Sequence, residues 1–120
     1  MLKVKRIYDP PSPDDGKRIL VDRLWPRGVR NEKAVLDEWM RDIAPSDELR
    51  KWFSHNVSKW QEFKKRYAEE LTDKSGLVKR LLDEIEANDI TLLFAAKDVE
   101  YNNAVALKEI IGRKIKKKHK

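Results

Sequence analysis

The chain has 120 residues, enough for one domain with a single core, and a formal net charge of +6. It has no cysteine, which excludes disulfides, thiolate metal sites and a cysteine nucleophile and is typical of a cytoplasmic protein. No run of about 18 apolar residues is present, so the sequence predicts no membrane span.

The positive charge is concentrated at the carboxyl end. Residues 113–120 contain six Lys or Arg and no acidic residue, whereas the rest of the chain has 21 basic and 21 acidic residues. We therefore predict one domain over residues 1–112, with no net charge, followed by a basic tail over residues 113–120. Such a tail either attracts nucleic acid or an anionic surface, or is a solvated terminus.

Two strands are predicted in the first quarter of the chain. Alternation of Leu2 and Val4, with β-branched and aromatic residues after them, predicts a strand over residues 2–8. Three prolines and a glycine make residues 9–17 a loop. The apolar run that follows predicts a second, buried strand over about residues 18–24.

Five helices are predicted after these strands. The first covers about residues 33–42, and a second begins after Ser46, whose hydroxyl is suited to an N-cap. The third follows a capping box that begins at Ser58. The last two cover about residues 76–88 and 103–115. Apolar side chains predicted to face the core are Val35, Leu36, Trp39, Leu49, Trp52, Phe53, Trp60, Phe63, Tyr67, Leu71, Leu77, Leu81, Leu82 and Ile85.

Residues 90–96 are apolar on both faces, which is typical of a central strand covered by helices. Strands that alternate with helices in this way predict an α/β fold with a largely parallel sheet flanked by helices. The link between the first two strands is too short for a helical crossover. Either these strands are not neighbours in the sheet, or an abbreviated loop connects them.

Ligands of open parallel sheets bind beyond the carboxyl ends of the strands. By this rule, the segments that follow the three predicted strands should lie close together. Arginine holds phosphate or carboxylate in a two-pronged fork. We therefore predict a cleft that binds an anionic small molecule, such as a phosphorylated metabolite or a nucleotide, with or without a reaction. The predicted ligand-binding residues are Tyr8, Asp9, Asp22, Arg23, Trp25, Arg27, Lys97, Asn102 and Asn103.

Three residues are candidates for catalysis. Asp22 would act as a base or orient an arginine, and Lys97 would add positive charge. His55 would titrate near neutral pH as an acid or base, or would interact with the dipole at a helix end. With one histidine outside the tail and no cysteine, the sequence predicts no metal site. It points to no particular cofactor.

Each of these assignments has a structural alternative. Asp22 and Arg23 would also suit an ion pair, Trp25 would suit the core, and Asn102 would suit a helix cap. At the level of the whole chain, one alternative is a nucleic-acid-binding module that uses the cleft cations and the basic tail, with Trp25 or Tyr101 stacking on bases. The other is a protein-interaction domain without a ligand.

Several motifs are found in residues 5–10, 15–16, 18–28, 45–46, 49–50, 70–71, 91–97 and 103–104, with Leu36, Trp39, His55, Phe63 and Tyr67. Their order resembles that of YeaO-like proteins, a branch of a large bacterial and archaeal family known only as a domain of unknown function. The resemblance implies a Rossmann-like three-layer α/β domain and no particular reaction. Many other family members place cysteines after the last core strand, where this chain has Ala95, Ala96 and Lys97, so thiol chemistry cannot be transferred.

Overall fold

The computed structural model describes residues 1–30 and 35–118, which form a parallel sheet and four α-helices. The strands are β1 (Leu2–Arg6), β2 (Lys17–Leu20), β3 (Glu38–Trp39) and β4 (Ile90–Phe94). The helices are α1 (Asp47–Phe53), α2 (Trp60–Thr72), α3 (Ser75–Ala87) and α4 (Asn103–Lys118). A parallel sheet flanked by helices confirms the predicted fold class and is consistent with a small Rossmann-like three-layer domain.

The strand order is β1-β4-β2-β3, and every pairing is parallel. Ile90 at the start of β4 pairs with Leu2 on one side and Lys17 on the other. The first two strands of the chain are therefore not neighbours, which resolves the short link between them. All five residues of β4 are buried, as predicted for the central strand.

β2 ends at Leu20, four residues before the predicted end, because side-chain hydrogen bonds replace the backbone hydrogen bonds between the strands beyond this point. Val21 still donates its N–H to the carbonyl of Leu93 over 3.1 Å. The next N–H along β4, that of Ala95, instead donates to the Asp22 carboxylate at 2.9 Å. The carbonyl of Val21 accepts from the Asn103 amide at 3.0 Å. The chain leaves the sheet at this point and enters the site.

The prediction of a helix over residues 33–42 is wrong for residues 35–42, and residues 33–34 lie outside the described residues. Backbone bonds to the edge of β2 hold the segment extended instead: Asp37 donates to the Arg18 carbonyl at 2.8 Å and Met40 to that of Leu20 at 2.9 Å. A 3-10 turn, Arg41–Ile43, follows. Val35 is exposed, in contrast to its predicted place in the core.

The helix caps confirm one prediction and contradict another. Ser46 precedes α1, and its hydroxyl accepts the Leu49 N–H at 3.1 Å, as predicted. The capping box at Ser58 is wrong: Ser58 lies in a 3-10 turn, and its hydroxyl donates to the Asn56 side chain at 2.7 Å. Lys59 precedes α2 without a side-chain cap.

The predicted core of the helices is largely present. Leu49, Phe53 and the four stripe residues of α2 are buried, while Trp52 is half-buried. In α3 the buried residues are Val78 and Leu81, and the predicted Leu77, Leu82 and Ile85 are only half-buried. α4 extends through residues 113–118, three residues beyond its predicted end, so the described part of the basic segment is helical.

Successive side chains of each strand point to opposite faces of the sheet, and they contribute to two apolar clusters. The larger cluster joins residues of all four helices to one face of the sheet, including Ile19, Val21 and Leu92. The smaller one contains Ile7, Leu20 and Leu93 and is packed by partly buried side chains that include Trp25 and Trp39. No helix within the described ranges is long and apolar enough to cross a membrane.

A buried ion pair lies at the start of β2, at the opposite end of the strand from Asp22. Asp15 and Arg18 are paired, with 4% and 5% of their surfaces exposed. Lys5 also donates to the Asp15 carboxylate, at 3.1 Å, and the Thr91 hydroxyl donates to the Asp15 carbonyl at 2.7 Å. These contacts connect the loop before β2 to β1 and β4.

Candidate functional site

A cleft of about 700 Å³ opens where β1, β2 and β4 end. Eight of the nine residues predicted to bind a ligand line it, as does His55, and Asp9 does not. Asp9 is exposed in the turn after β1, where its N–H donates to the Arg6 carbonyl at 3.1 Å. The predicted residues that line the cleft are Tyr8, Asp22, Arg23, Trp25, Arg27, His55, Lys97, Asn102 and Asn103.

α1 contributes residues to the cleft that the sequence reasoning missed. Arg50, Lys51 and Ser54 line it from this helix and its end. These side chains lie off the apolar stripe of α1, so the sequence alone makes them part of a solvated face. No local sequence signal identifies them, because they reach the cleft through the position of α1, which follows two further lining residues, Ala44 and Pro45.

The cleft concentrates positive charge. Among the described residues that line it, Asp22 has the sole carboxylate. The cationic side chains are Arg23, Arg27, Arg50, Lys51 and Lys97. Because residues 1–112 have no net charge, this imbalance is a local feature of the cleft rather than a property of the whole surface. A cleft lined by one sign of charge attracts ligands of the opposite sign.

Asp22 is held in place by both of its carboxylate oxygens. Oδ2 accepts the Ala95 N–H at 2.9 Å, and Oδ1 accepts from Asn103 Nδ2 at 3.1 Å. Burial raises the pKa of Asp22 above its ordinary value, although the two hydrogen bonds act to lower this pKa. The carboxyl group is therefore fixed in orientation and is more easily protonated than an exposed aspartate.

Arg23 is anchored to backbone rather than to Asp22. Its Nε donates to the Pro45 carbonyl at 3.1 Å, and its Nη2 donates to that of Ala44 at 3.3 Å. No ion pair joins Asp22 and Arg23 within the described part of the chain, since the Asp22 carboxylate bonds to Ala95 and Asn103. The remaining guanidinium nitrogen, Nη1, makes no hydrogen bond to the described residues. The anchored side chain can therefore present this nitrogen to a ligand.

Tyr8 connects the end of β1 to the loop that carries the two cleft arginines. Its hydroxyl donates to the carbonyl of Arg27 at 2.8 Å. The guanidinium of Arg6 lies 4.8 Å from the centre of the Tyr8 ring. Arg6 in turn donates to the carbonyls of Ala95 and Ala96 at 3.1 and 2.9 Å. Arg27 itself is exposed, which leaves its side chain available to a ligand.

Trp25 and Asn102 have structural roles beside the cleft. Trp25 packs edge to face on Trp39, with ring centres 5.2 Å apart, and donates its indole N–H to the Val29 carbonyl at 2.6 Å. Asn102 is buried, and its side chain accepts the Val105 N–H at 3.0 Å and donates to the Asp98 carbonyl at 2.8 Å. These contacts match a packing role for Trp25 and a cap role for Asn102, the alternatives raised from the sequence.

His55 and Lys97 lie at the exposed rim. Ser54 ends α1 in the left-handed conformation, with φ 45° and ψ 40°, and His55 follows at φ 58°. Non-glycine residues with positive φ are uncommon, and here they end α1 in a left-handed turn that brings His55 to the cleft rim. Backbone N–H groups of Tyr101 and Glu100, with a smaller effect of His55, lower the pKa of Asp98. His55 therefore lies within electrostatic reach of that carboxylate.

The described residues contain no group of three or more His, Asp or Glu side chains that could hold a metal ion. The polar groups that line the cleft are mainly cations and amides, which suit an anion and not a metal. The arrangement can therefore fix the position of a negatively charged group.

Comparison with known proteins identifies the family of this chain. A family model described as "Inactive DUF488-N3 subclade" matches residues 1–120. The chain is 44% identical over 106 residues to the uncharacterized protein YeaO of Escherichia coli strain K12, an alignment that covers 88% of this chain and 92% of that protein. It is 37% identical over 111 residues to the uncharacterized proteins Rv3073c of Mycobacterium tuberculosis H37Rv and Mb3100c of Mycobacterium bovis, covering 92% of this chain and 93% of each.

No solved structure matches the chain. The names of the relatives assign no activity to any of them. Both the family model and the YeaO alignment extend over most of the chain, in agreement with the resemblance seen in its motifs. The chain therefore belongs to the YeaO-like branch of the DUF488 family.

Proposed function

We propose that this protein binds a phosphorylated metabolite or a nucleotide in the cleft at the strand ends, as a ligand rather than as a substrate. The observation that carries the proposal is the charge of the lining, five cations against the carboxylate of Asp22, in a domain without net charge. A charge-assisted contact from arginine to phosphate is stronger than a neutral hydrogen bond.

The roles of individual residues follow from their contacts. Arg23 is rigid because two of its nitrogens bond to backbone carbonyls, so little side-chain entropy is lost when it binds. Arg27 and Lys97 are exposed and would close on the anion from the rim. Asp22 would accept a hydrogen bond from a hydroxyl or amino group of the ligand, which favours a ligand with donors beside its charge.

Binding without turnover agrees with the description of the matched family model, which calls its subclade inactive. Among the described residues, the rim contains no hydrogen-bonded pair of nucleophile and base, which covalent catalysis would use. Among the described hydrogen bonds, neither His55 nor Lys97 bonds to Asp22. These observations support a binding protein over an enzyme.

Calorimetric titration with pyrophosphate, nucleotides and sugar phosphates tests the proposal. Arg27→Gln and Lys97→Gln should each weaken binding by about tenfold, since each removes one charge-assisted contact. Lys108→Gln is the matched control, because it removes the same charge from an exposed position of α4 that does not line the cleft. Wild-type protein that binds none of these compounds, or equal losses in all three variants, would contradict the proposal.

A second candidate, nucleic-acid binding, is favoured by one observation. The end of α4 exposes Arg113, Lys114, Lys116 and Lys117. Affinity for a single-stranded oligonucleotide should then fall steeply between about 50 and 200 mM salt. Deletion of residues 113–120 distinguishes binding by this segment from binding by the cleft. If the deletion abolishes binding and the wild-type binding shows no base dependence, the segment binds nucleic acid only through nonspecific attraction of charges.

A further inference from the structure

We infer that the ligand of the cleft is a nucleotide whose base stacks on the ring of Tyr8, an inference that rests on the proposed function and makes it more specific. The notable feature is Tyr8, a residue that is 44% exposed although it lines a ligand-sized cleft. A large exposed aromatic ring at such a position is a surface that can bind a flat apolar group.

Tyr8 is fixed before any ligand arrives. Its hydroxyl is held by the Arg27 carbonyl, and Arg6 lies over the ring with its own guanidinium bonded to two carbonyls after β4. A ring anchored in this way loses little conformational entropy when it binds. The nearby guanidinium also places a positive charge beside the ring, which favours an electron-rich base and the phosphates attached to it.

The other aromatic rings of the lining already pack against aromatic rings. Trp25 packs against Trp39, and Tyr101 packs edge to face on Trp60 with ring centres 5.4 Å apart. Phe53 is buried and stacked on Phe63 at 4.5 Å. Within the described chain, Tyr8 packs against no other aromatic ring. This comparison favours Tyr8 over Trp25 and Tyr101 as the residue that stacks on a base.

The hydrogen bond that fixes Tyr8 also places the proposed base site close to the proposed phosphate site. Because the Tyr8 hydroxyl bonds to the backbone of Arg27, the ring and that arginine belong to one small region of the cleft. A volume of about 700 Å³ lies in the range of small-molecule sites and is far larger than an isolated phosphate needs. A nucleotide unites a flat ring and phosphates within one molecule and so satisfies both parts.

Three probes separate the base from the phosphates: adenosine triphosphate, inorganic tripolyphosphate and adenosine. Stacking on an aromatic side chain should make the nucleotide bind about tenfold more tightly than tripolyphosphate. Tyr8→Leu should abolish that preference, whereas Tyr8→Phe should keep most of it. The base protons of the nucleotide should shift upfield on binding to wild type, through the ring current of Tyr8, and not on binding to Tyr8→Leu.

The outcomes distinguish this inference from the proposal beneath it. If tripolyphosphate and the nucleotide bind equally well to wild type, the base makes no contact and the inference is overturned, while anion binding in the cleft survives. If neither binds, the inference is overturned, and the proposed function is overturned with it when pyrophosphate and the sugar phosphates also fail to bind. If the preference persists in Tyr8→Leu and this variant unfolds at the same urea concentration as wild type, the base lies elsewhere and the inference is likewise overturned.

Discussion

Asn103 donates its side-chain N–H to the carboxylate of Asp22 over 3.1 Å, although 81 residues separate them in sequence. The same amide nitrogen donates to the Val21 carbonyl at 3.0 Å. The first residue of α4 is thus fastened to the end of β2 at the base of the cleft. This contact orients the Asp22 carboxylate, so the geometry of the cleft depends on the position of α4.

Asn103→Ala should lower the free energy of unfolding by about 1–3 kcal/mol, because it leaves two partly buried acceptors without a partner. Urea denaturation measures the change. Asn88→Ala is the matched control: Asn88 is exposed at the end of α3, and its amide makes a long 3.4 Å contact to the Glu84 carbonyl. Equal effects of the two substitutions would show that the contact of Asn103 contributes nothing.

Asp22 should titrate above the ordinary aspartate pKa of 3.8, because burial disfavours its charged form. Between the unfolded and folded pKa values the folded state binds more protons, so the contribution of Asp22 to stability falls as the pH rises through that window. Asn103→Ala removes a hydrogen bond to the carboxylate and should raise the Asp22 pKa further. Carbon-13 NMR of the side-chain carboxyl follows both values, and a wild-type pKa below 3.8 would contradict the assignment.

Asp15 should show the opposite behaviour. Burial would raise the pKa of Asp15, but the Ser12 N–H and the Lys5 and Arg18 side chains outweigh burial and lower it. Because the folded pKa lies below the unfolded value, this stabilisation is present above pH of about 4 and is lost as the pH falls through the folded pKa. Asp15→Asn should cost about 3 kcal/mol at neutral pH, because it leaves the buried Arg18 charge uncompensated.

An exposed ion pair provides the control for Asp15. Asp83 and Lys79 are 3.2 Å apart on the surface of α3. Asp83→Asn should change the free energy of unfolding by less than about 0.5 kcal/mol. The difference between the two variants should shrink on acidification. If urea denaturation shows the same difference at pH 3 as at pH 7, the charge of Asp15 is not the cause of its effect.

Relief of the left-handed backbone at the cleft rim should stabilise the fold. Ser54→Gly should raise the free energy of unfolding by about 0.5–1 kcal/mol, since glycine adopts φ 45° without a steric penalty. Ser54→Ala retains the strain and should leave stability near that of wild type. A destabilised Ser54→Gly would mean that the serine side chain, rather than the backbone conformation, determines stability at this position.

The sequence was sufficient where local pattern and tertiary environment agree. A continuous apolar run at residues 90–96 predicts a central strand, and β4 lies there with both faces buried. Spacings of three and four residues along α2 predict its buried stripe correctly. In both cases the side-chain period alone determines which surface must be buried, and no distant contact competes with it.

The errors lie where another contact overrides the local pattern. Leu36 and Trp39 are three residues apart, as on a helix face, yet the edge of β2 captures this segment as a two-residue strand. Asn56 likewise takes the hydroxyl of Ser58 away from the start of α2. The predicted site residues converge because strand ends meet at one edge, whereas Arg50 and Lys51 reach the cleft only through the packing of α1.

The central claim is that the cleft at the strand ends binds an anion. The most direct test is a titration with inorganic tripolyphosphate, followed through the backbone amide signals of nitrogen-15-labelled protein. We predict saturable shifts concentrated at Asp22, Arg23, Arg27 and Lys97, with smaller shifts in Arg27→Gln. Absence of saturable shifts, or shifts confined to residues 113–118 at the end of α4, would contradict the account.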